Sequence, residues 1–476
     1  MKIDRRDFIK KIGCVSLFAM GYRGLGQTSN RLKPDILLFI ADDMTWHDCQ
    51  PYGSTVVKTP NMAKLASEGM CFDAMFTATA MCAPTRQQLY TGLFPVRNGA
   101  YPNHSSVREG TQSHVHHLKA LGYRVGLIGK RHYGPESSFP FEYLSGRDHD
   151  EGGKLDIDIP AIEPFITRDK QQPYCLIVAS NQPHSPWTRK VAGISYEPET
   201  VKVPPYLVDS TVTRQKLCNY YHEITYADQQ LGQCLDIVRQ KGRPEQTMVL
   251  FTSEQGNQFP FGGKWTCYDN GLKTAFIVRW PKVIKPGSRT SAMAQYVDVV
   301  PTLLEAAGGV PADCHTGRPD AYGKEGFDGQ SFLKVLEGTS QKLREHVYGV
   351  HTTRGIIKGS ECYPIRSIRS GQYKYIWNLN WKEPFQNVIT NAQPLESWRK
   401  LGEEDPAIAA RARFYQYRPE EELYDLSRDP WEMTNLADDS SLAEVKAGLR
   451  RLLLEWMKQQ GDEGIKTEML VAKYGG

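Results

Sequence analysis

Absences narrow this sequence before any motif is read. No apolar run approaches the roughly 20 residues that a membrane-spanning helix requires, so no helical span is expected. There is no internal repeat and no low-complexity tract. The formal net charge is only +4 over 476 residues, which gives no reason to expect nucleic acid as a partner. A local basic pocket for an acidic substrate is compatible with so small a value. The ten cysteines include no CxxC pair of the kind that builds a zinc ribbon. Cys218 and Cys234 fall on one expected helix about 24 Å apart, beyond the reach of a disulfide, and no other pairing can be read.

At 40% hydrophobic and 24% charged residues, the composition is that of a soluble globular chain. Its length exceeds what one core usually spans, so two units are expected, 28–345 and 346–476. Residues 34–43, Pro-Asp-Ile-Leu-Leu-Phe-Ile-Ala-Asp-Asp, read as a strand apolar on both faces, which belongs in a covered, largely parallel sheet. Similar runs cover 124–129, 174–180 and 248–252. Helical patterns lie between them at Thr59–Glu68, Ser113–Leu121 and Thr213–Lys241, each followed by glycine. The expected fold is α/β, a mixed, largely parallel sheet flanked by helices. In the second unit, Tyr373, Tyr375, Trp377, Leu379 and Trp381 alternate along a strand, and Leu442, Val445, Leu449, Leu452, Leu453 and Trp456 recur at helical spacing. These predict a smaller antiparallel sheet covered by a helix.

Each strand of the first unit runs into ionisable residues: Asp42 and Asp43; Lys130, Arg131 and His132; His184; Glu254 and Gln255. In open α/β sheets, ligands bind beyond the carboxyl ends of the strands. The stretch Ala80–Gly92 adds Cys82, then Pro84, which suits the first position of a helix, then Arg86 one turn on. Cys82 is thus expected at a helix mouth, where anions are favoured. Asp42, Asp43, Glu254 and Gln255 offer hard oxygen donors suited to calcium, less well to magnesium. Taken singly, adjacent aspartates read as a helix cap or a solvated turn, and a lone histidine as a core or surface residue. His114, His116 and His117 read as a solvated helix face, since no third metal ligand follows at suitable spacing.

Cys-x-Pro-x-Arg followed by Leu-Tyr-Thr-Gly, over 82–92, resembles the signature of the type I sulfatases, a branch of the alkaline phosphatase superfamily. Gly129-Lys130-Arg131-His132 and Pro183-His184-Ser185-Pro186 are similar to two further motifs of that family. The resemblance implies that a formylglycine-generating enzyme oxidises Cys82 to 3-oxoalanine (formylglycine), whose hydrate is the nucleophile. It implies calcium held by Asp42, Asp43, residue 82, Glu254 and Gln255, with Glu-Gln standing where the family more commonly has Asp-Asn or Asp-His. It further implies that Lys130 and Lys264 contact sulfate oxygens, that His132 is the base that expels sulfate, that His184 protonates the leaving group, and that Arg86 holds the modified residue. His104, Arg366 and Asn380 are candidate substrate contacts.

The likeness runs from about 34 to 460 and includes 298–304 and 422–426. Residues 129–136, 363–367 and 378–385 look most like the heparan N-sulfatase (sulfamidase) branch. The implied substrate is a sulfated glycan, algal (ulvan or carrageenan) or a glycosaminoglycan. N-sulfoglucosamine hydrolysis, phosphate or phosphonate ester hydrolysis on the same fold, and an inactive glycan-binding protein are the alternatives. Asp4-Arg5-Arg6-Asp7-Phe8-Ile9-Lys10-Lys11, ahead of a short apolar stretch, resembles a twin-arginine export signal over 1–27, which implies a periplasmic or secreted protein.

Overall fold

The continuous apolar runs become the centre of a sheet. β1 (Asp35–Ala41), β2 (Arg124–Gly129), β3 (Tyr174–Ala179) and β4 (Thr247–Ser253) are buried along their whole length. They pair in parallel in the order β4, β1, β3, β2. This computed structural model describes residues 33–147 and 157–472, so the export-signal stretch 1–27 lies outside the described residues.

Alternation along β1 sends side chains to two cores. Leu37, Phe39 and Ala41 join one apolar cluster; Ile36, Leu38 and Ile40 join the other. Leu89 and Tyr90 of α1 (Cys82–Thr91) pack in the second cluster. Leu217, Tyr220 and Leu231 of the long α2 (Thr211–Lys241) pack in the first. Short strands complete the eight-stranded sheet: Met70–Phe72, Phe276–Arg279 and Ser288–Thr290 beyond β4, and Glu142–Tyr143 beyond β2. Phe276–Arg279 runs antiparallel to β4, so the sheet is mixed but largely parallel, as expected.

Register fixes the working edge. Ala41 lies opposite Ser253, Ile40 opposite Ala179, and Gly129 opposite Ala179. The next residues of each chain segment, Asp42, Lys130, Ser180 and Glu254, therefore emerge together at one edge.

A second sheet follows. β5 (Val347–His351), β6 (Ile365–Arg369), β7 (Tyr373–Asn378) and β8 (Glu421–Asp425) form an antiparallel meander. Trp398 of α3 (Gln393–Leu401) is fully buried, stacks on Phe261 and bonds its indole N–H to Thr213. Leu449, Leu453 and Trp456 of α4 (Ala443–Gln460) cover Ile368, Tyr375 and Leu423 of the meander. β7 stops at Asn378, short of the expected Trp381, which is 39% exposed.

Two expectations are corrected. The helix after the cysteine begins at Cys82 itself, with Met81 as its cap and Pro84 in third position. His114 and His117 are buried, not solvated, because their short helix packs against α1 and a loop: His114 Nδ1 lies 3.1 Å from the Tyr90 carbonyl, and the His117 ring meets Phe327 edge-on. Among the described residues every cysteine is free, and no helix is long and apolar enough to cross a membrane.

Candidate active site

The sheet edge gathers residues scattered over more than two hundred positions. Asp42, Asp43, Cys82 and Glu254 each place one ligand atom within 4.8 Å of all the others, and all four are buried. The Cys82 thiol lies 3.8 Å from Asp42 Oδ1 at the first turn of α1. The Gln255 amide nitrogen sits where acceptors converge, 2.7 Å from Asp43 Oδ1, 2.8 Å from Glu254 Oε1 and 3.4 Å from the sulfur. Its own oxygen is buried without a hydrogen-bond donor.

Cations brace the carboxylates. The Lys130 ammonium donates to Asp42 Oδ2 and the Lys264 ammonium to Asp43 Oδ2, both at 2.5 Å. Arg86 is fully buried; its Nε lies 2.7 Å from Glu254 and its guanidinium 3.9 Å from Asp42. It thus reaches the carboxylates.

Lys264 is carried by a loop that only glycine permits. A Cβ on Gly263, whose φ is +111°, would stand 2.0 Å from the Gly271 nitrogen, and one on Gly256 would stand 1.9 Å from the Asn270 oxygen. Non-glycine residues in the left-handed region crowd the same place. Asp43, His104, His132, Phe261 and Trp265 make five of the eight such residues among those described. Strain of this kind costs about 1–3 kcal/mol per residue and persists where the surroundings over-determine it.

The two histidines differ in setting. His184 Nδ1 lies 2.6 Å from the Ser185 carbonyl, which only accepts, so Nδ1 carries the hydrogen and Nε2 faces the site. The Gln258 amide nitrogen donates to Asp43 Oδ2 at 3.0 Å and to His184 Nε2 at 3.2 Å, so Gln258 joins the metal-type cluster to the imidazole. No local pattern marked Gln258 in the sequence; it is one polar residue in a polar loop. His132 Nε2 lies 2.8 Å from Nδ1 of the exposed His104.

Burial sets the protonation states. It pushes the Cys82 thiol far up, with the Glu254 carboxylate adding to the effect, so the thiolate is not the form present at neutral pH. It pushes Glu254 up to about 8 against the pull of Arg86. Burial opposes ionisation of Asp42 as well, but Lys130, a hydrogen bond with Glu254, and the charges of His184 and Arg86 together outweigh it and hold that carboxyl well below the usual range. Burial and then Lys264 bring His184 down to about 4, and burial with Lys130 holds His132 neutral.

Of the two residues expected from the C-terminal part to touch substrate, Arg366 is not accessible to it, whereas Asn380 is half-buried. Arg366 is fully buried and paired with Asp462, 96 positions away. The Asn380 amide donates to the Cys362 carbonyl at 2.7 Å.

The sulfatase family model matches residues 34–310, which include every residue of this cluster. The chain belongs to the sulfatase family of sulfuric ester hydrolases. A model of the N-sulphoglucosamine sulphohydrolase C-terminal region matches 258–397 of this sulfatase. Among curated relatives, an ulvan-active sulfatase of Formosa agariphila is 35% identical over 438 residues, covering 90% of this chain and 81% of that protein. Human N-sulphoglucosamine sulphohydrolase is 28% identical, covering 91% of each chain. The phosphonate monoester hydrolase of Agrobacterium radiobacter superposes with a TM-score of 0.68 at 19% identity, over 91% of this chain and 97% of that one. That last likeness is one of fold alone.

Proposed function

We propose that this sulfatase is an exported enzyme, periplasmic or secreted, that hydrolyses sulfate esters on a sulfated glycan, with calcium and with Cys82 converted to formylglycine. The observation that carries the reading is the convergence of Asp42, Asp43, Glu254 and Gln255 on position 82. The carboxylates suit a hard cation, and turning over the Gln255 amide, whose oxygen is buried without a donor, would bring that oxygen to them in place of the nitrogen. Bound there, calcium would supply positive charge for the sulfate oxygens. Formylglycine would supply, as its hydrate, an oxygen nucleophile that a buried, protonated thiol cannot. In the same reading residues 28–345 carry the chemistry and 346–476 form a separate C-terminal subdomain.

The chain's own residues do the rest. Lys130 and Lys264 bind and orient the sulfate oxygens and offset the charge that grows on them. Arg86 positions Glu254. His184, with Nδ1 fixed on the Ser185 carbonyl, holds a proton at Nε2 for the departing sugar oxygen; a bound sulfate beside it favours the charged imidazolium that it lacks when the site is empty of substrate. His132, kept neutral by burial and Lys130, takes up a proton as sulfate leaves. Residues 258–397 give N-sulfate cleavage a specific claim as a second reading, because their match is to the N-sulphoglucosamine sulphohydrolase region.

Release of sulfate and of phosphate from matched chromogenic monoesters tests the reaction class: sulfate should be released faster, and a preference for phosphate would overturn the reading. Metal binding should depend on pH. Glu254 must ionise to serve as a ligand, so calcium affinity should rise about tenfold per pH unit up to about 8 and level off above it. The metal-free protein behaves in the opposite sense. A carboxyl whose pKa is raised in the folded state contributes stability at low pH, and that contribution is lost as pH rises through about 8. Calorimetric titration of chelator-treated protein at pH 6, 7, 8 and 9 measures the first effect; an affinity flat across that range would contradict it.

A further inference from the structure

Beside His184 the surface opens into a cavity of about 360 Å³, within the range of small-ligand sites. Its wall is continuous with the catalytic cluster. Ser185 Oγ donates to Gln258 Oε1 at 2.6 Å, and the nitrogen of that same amide reaches Asp43 and His184. On the proposed mechanism His184 protonates the departing sugar oxygen, so the remainder of the glycan lies on this side.

The lining combines an apolar platform with cationic character. Trp187 and Phe259 stack with ring centres 5.1 Å apart and planes 14° apart, and the Trp187 indole N–H is already bonded to the Pro183 carbonyl. Phe259 is buried and backs the platform from behind, so it is the half-buried Trp187 ring that presents apolar surface, as sugar C–H faces require. Lys216 and Asn219 lie one turn apart on α2 and also line the cavity. Neither side chain has a hydrogen-bond or ion-pair partner among the described residues, and no acidic side chain lines the space. The N-terminus of α3 ends here at Gln393, with no side-chain cap from Ala392, so its dipole adds to the positive potential.

We propose that this cavity holds the sugar next to the sulfated one, and that Lys216 selects glycans in which this neighbour carries an anionic group, a carboxylate or a second sulfate. The inference deepens the sulfatase reading and rests on it for the position of the scissile sulfate. It also moves a substrate contact of the C-terminal part from the buried Arg366 to the segment around Gln393.

The test is a binding panel on the calcium-loaded full chain carrying Cys82→Ala, which prevents turnover. The probes are purified oligosaccharides from ulvan, with a uronate neighbour, from iota-carrageenan, with a sulfated neighbour, and from kappa-carrageenan, with a neutral one. One or both anionic-neighbour probes should bind at least about tenfold more tightly than the neutral one. Lys216→Ala should erase that ratio, Lys216→Arg should keep it, and Lys216→Glu should reverse it. Absence of a preference in the parent protein, or a preference unchanged in Lys216→Ala, would overturn the proposal, as would failure to bind any probe. Turnover of a chromogenic aryl sulfate by the Cys82 enzyme, measured in parallel, shows separately whether the proposed chemistry stands.

Discussion

Replacing Cys82 with alanine should lower kcat for sulfate ester hydrolysis by about 10⁴-fold or more, the scale on which loss of a covalent nucleophile is felt. The expectation does not rest on thiol chemistry. The side chain is buried at the first turn of α1, and both burial and Glu254 disfavour its thiolate. An unconverted cysteine here is a poor nucleophile, and alanine differs from it by a single small atom in a packed place. The two proteins should therefore have similar thermal stability while differing greatly in rate. Initial rates on an aryl sulfate at saturating calcium, with melting temperatures measured alongside, decide the matter. A variant that keeps a tenth of the parent activity would contradict the role given to residue 82.

Removing Arg86 should act mainly on the fold. Its guanidinium lies between Glu254 and Asp42, all three wholly buried. Breaking a buried ion pair by deleting one partner leaves an uncompensated charge and costs about 3–5 kcal/mol. Arg86→Met should lose that much in urea unfolding at pH 9 with chelator present, where Glu254 is ionised in the parent. Saturating calcium should restore part of the loss, because a cation at the same carboxylates takes over some of the compensation. A loss below about 1 kcal/mol in chelator, or one that calcium does not change, would contradict the arrangement of charges described above.

What could be read from the sequence follows from the range over which each feature is encoded. The strand Asp35–Ala41 was legible because an uninterrupted apolar run has few alternatives, and Asp42, Lys130 and Glu254 were legible because parallel register brings strand ends together. Motif resemblance added Cys82, the first residue of α1, and His132, His184 and Lys264, which lie on turns and loops with no periodicity of their own. Gln258 escaped because its role arises from two contacts across the fold, to Asp43 and His184. Arg366 misled for the same reason: an arginine on a strand reads as accessible until its partner, 96 positions later, is known. His114 and His117 show the limit of helix-face reasoning on a seven-residue helix, where packing against α1 and Phe327 decides exposure. The Lys264 loop was visible only as a glycine-rich stretch. Why those glycines are needed appears when Gly263 and Gly271 are seen nearly in contact.

The most direct measurement is the mass of the proteolytic peptide containing residue 82, taken from a preparation whose sulfatase activity has been measured. The account predicts a peptide lighter by about 18 Da than the cysteine form and reactive towards hydrazides, in proportion to the activity. A fully active preparation in which that peptide carries an intact thiol would contradict it.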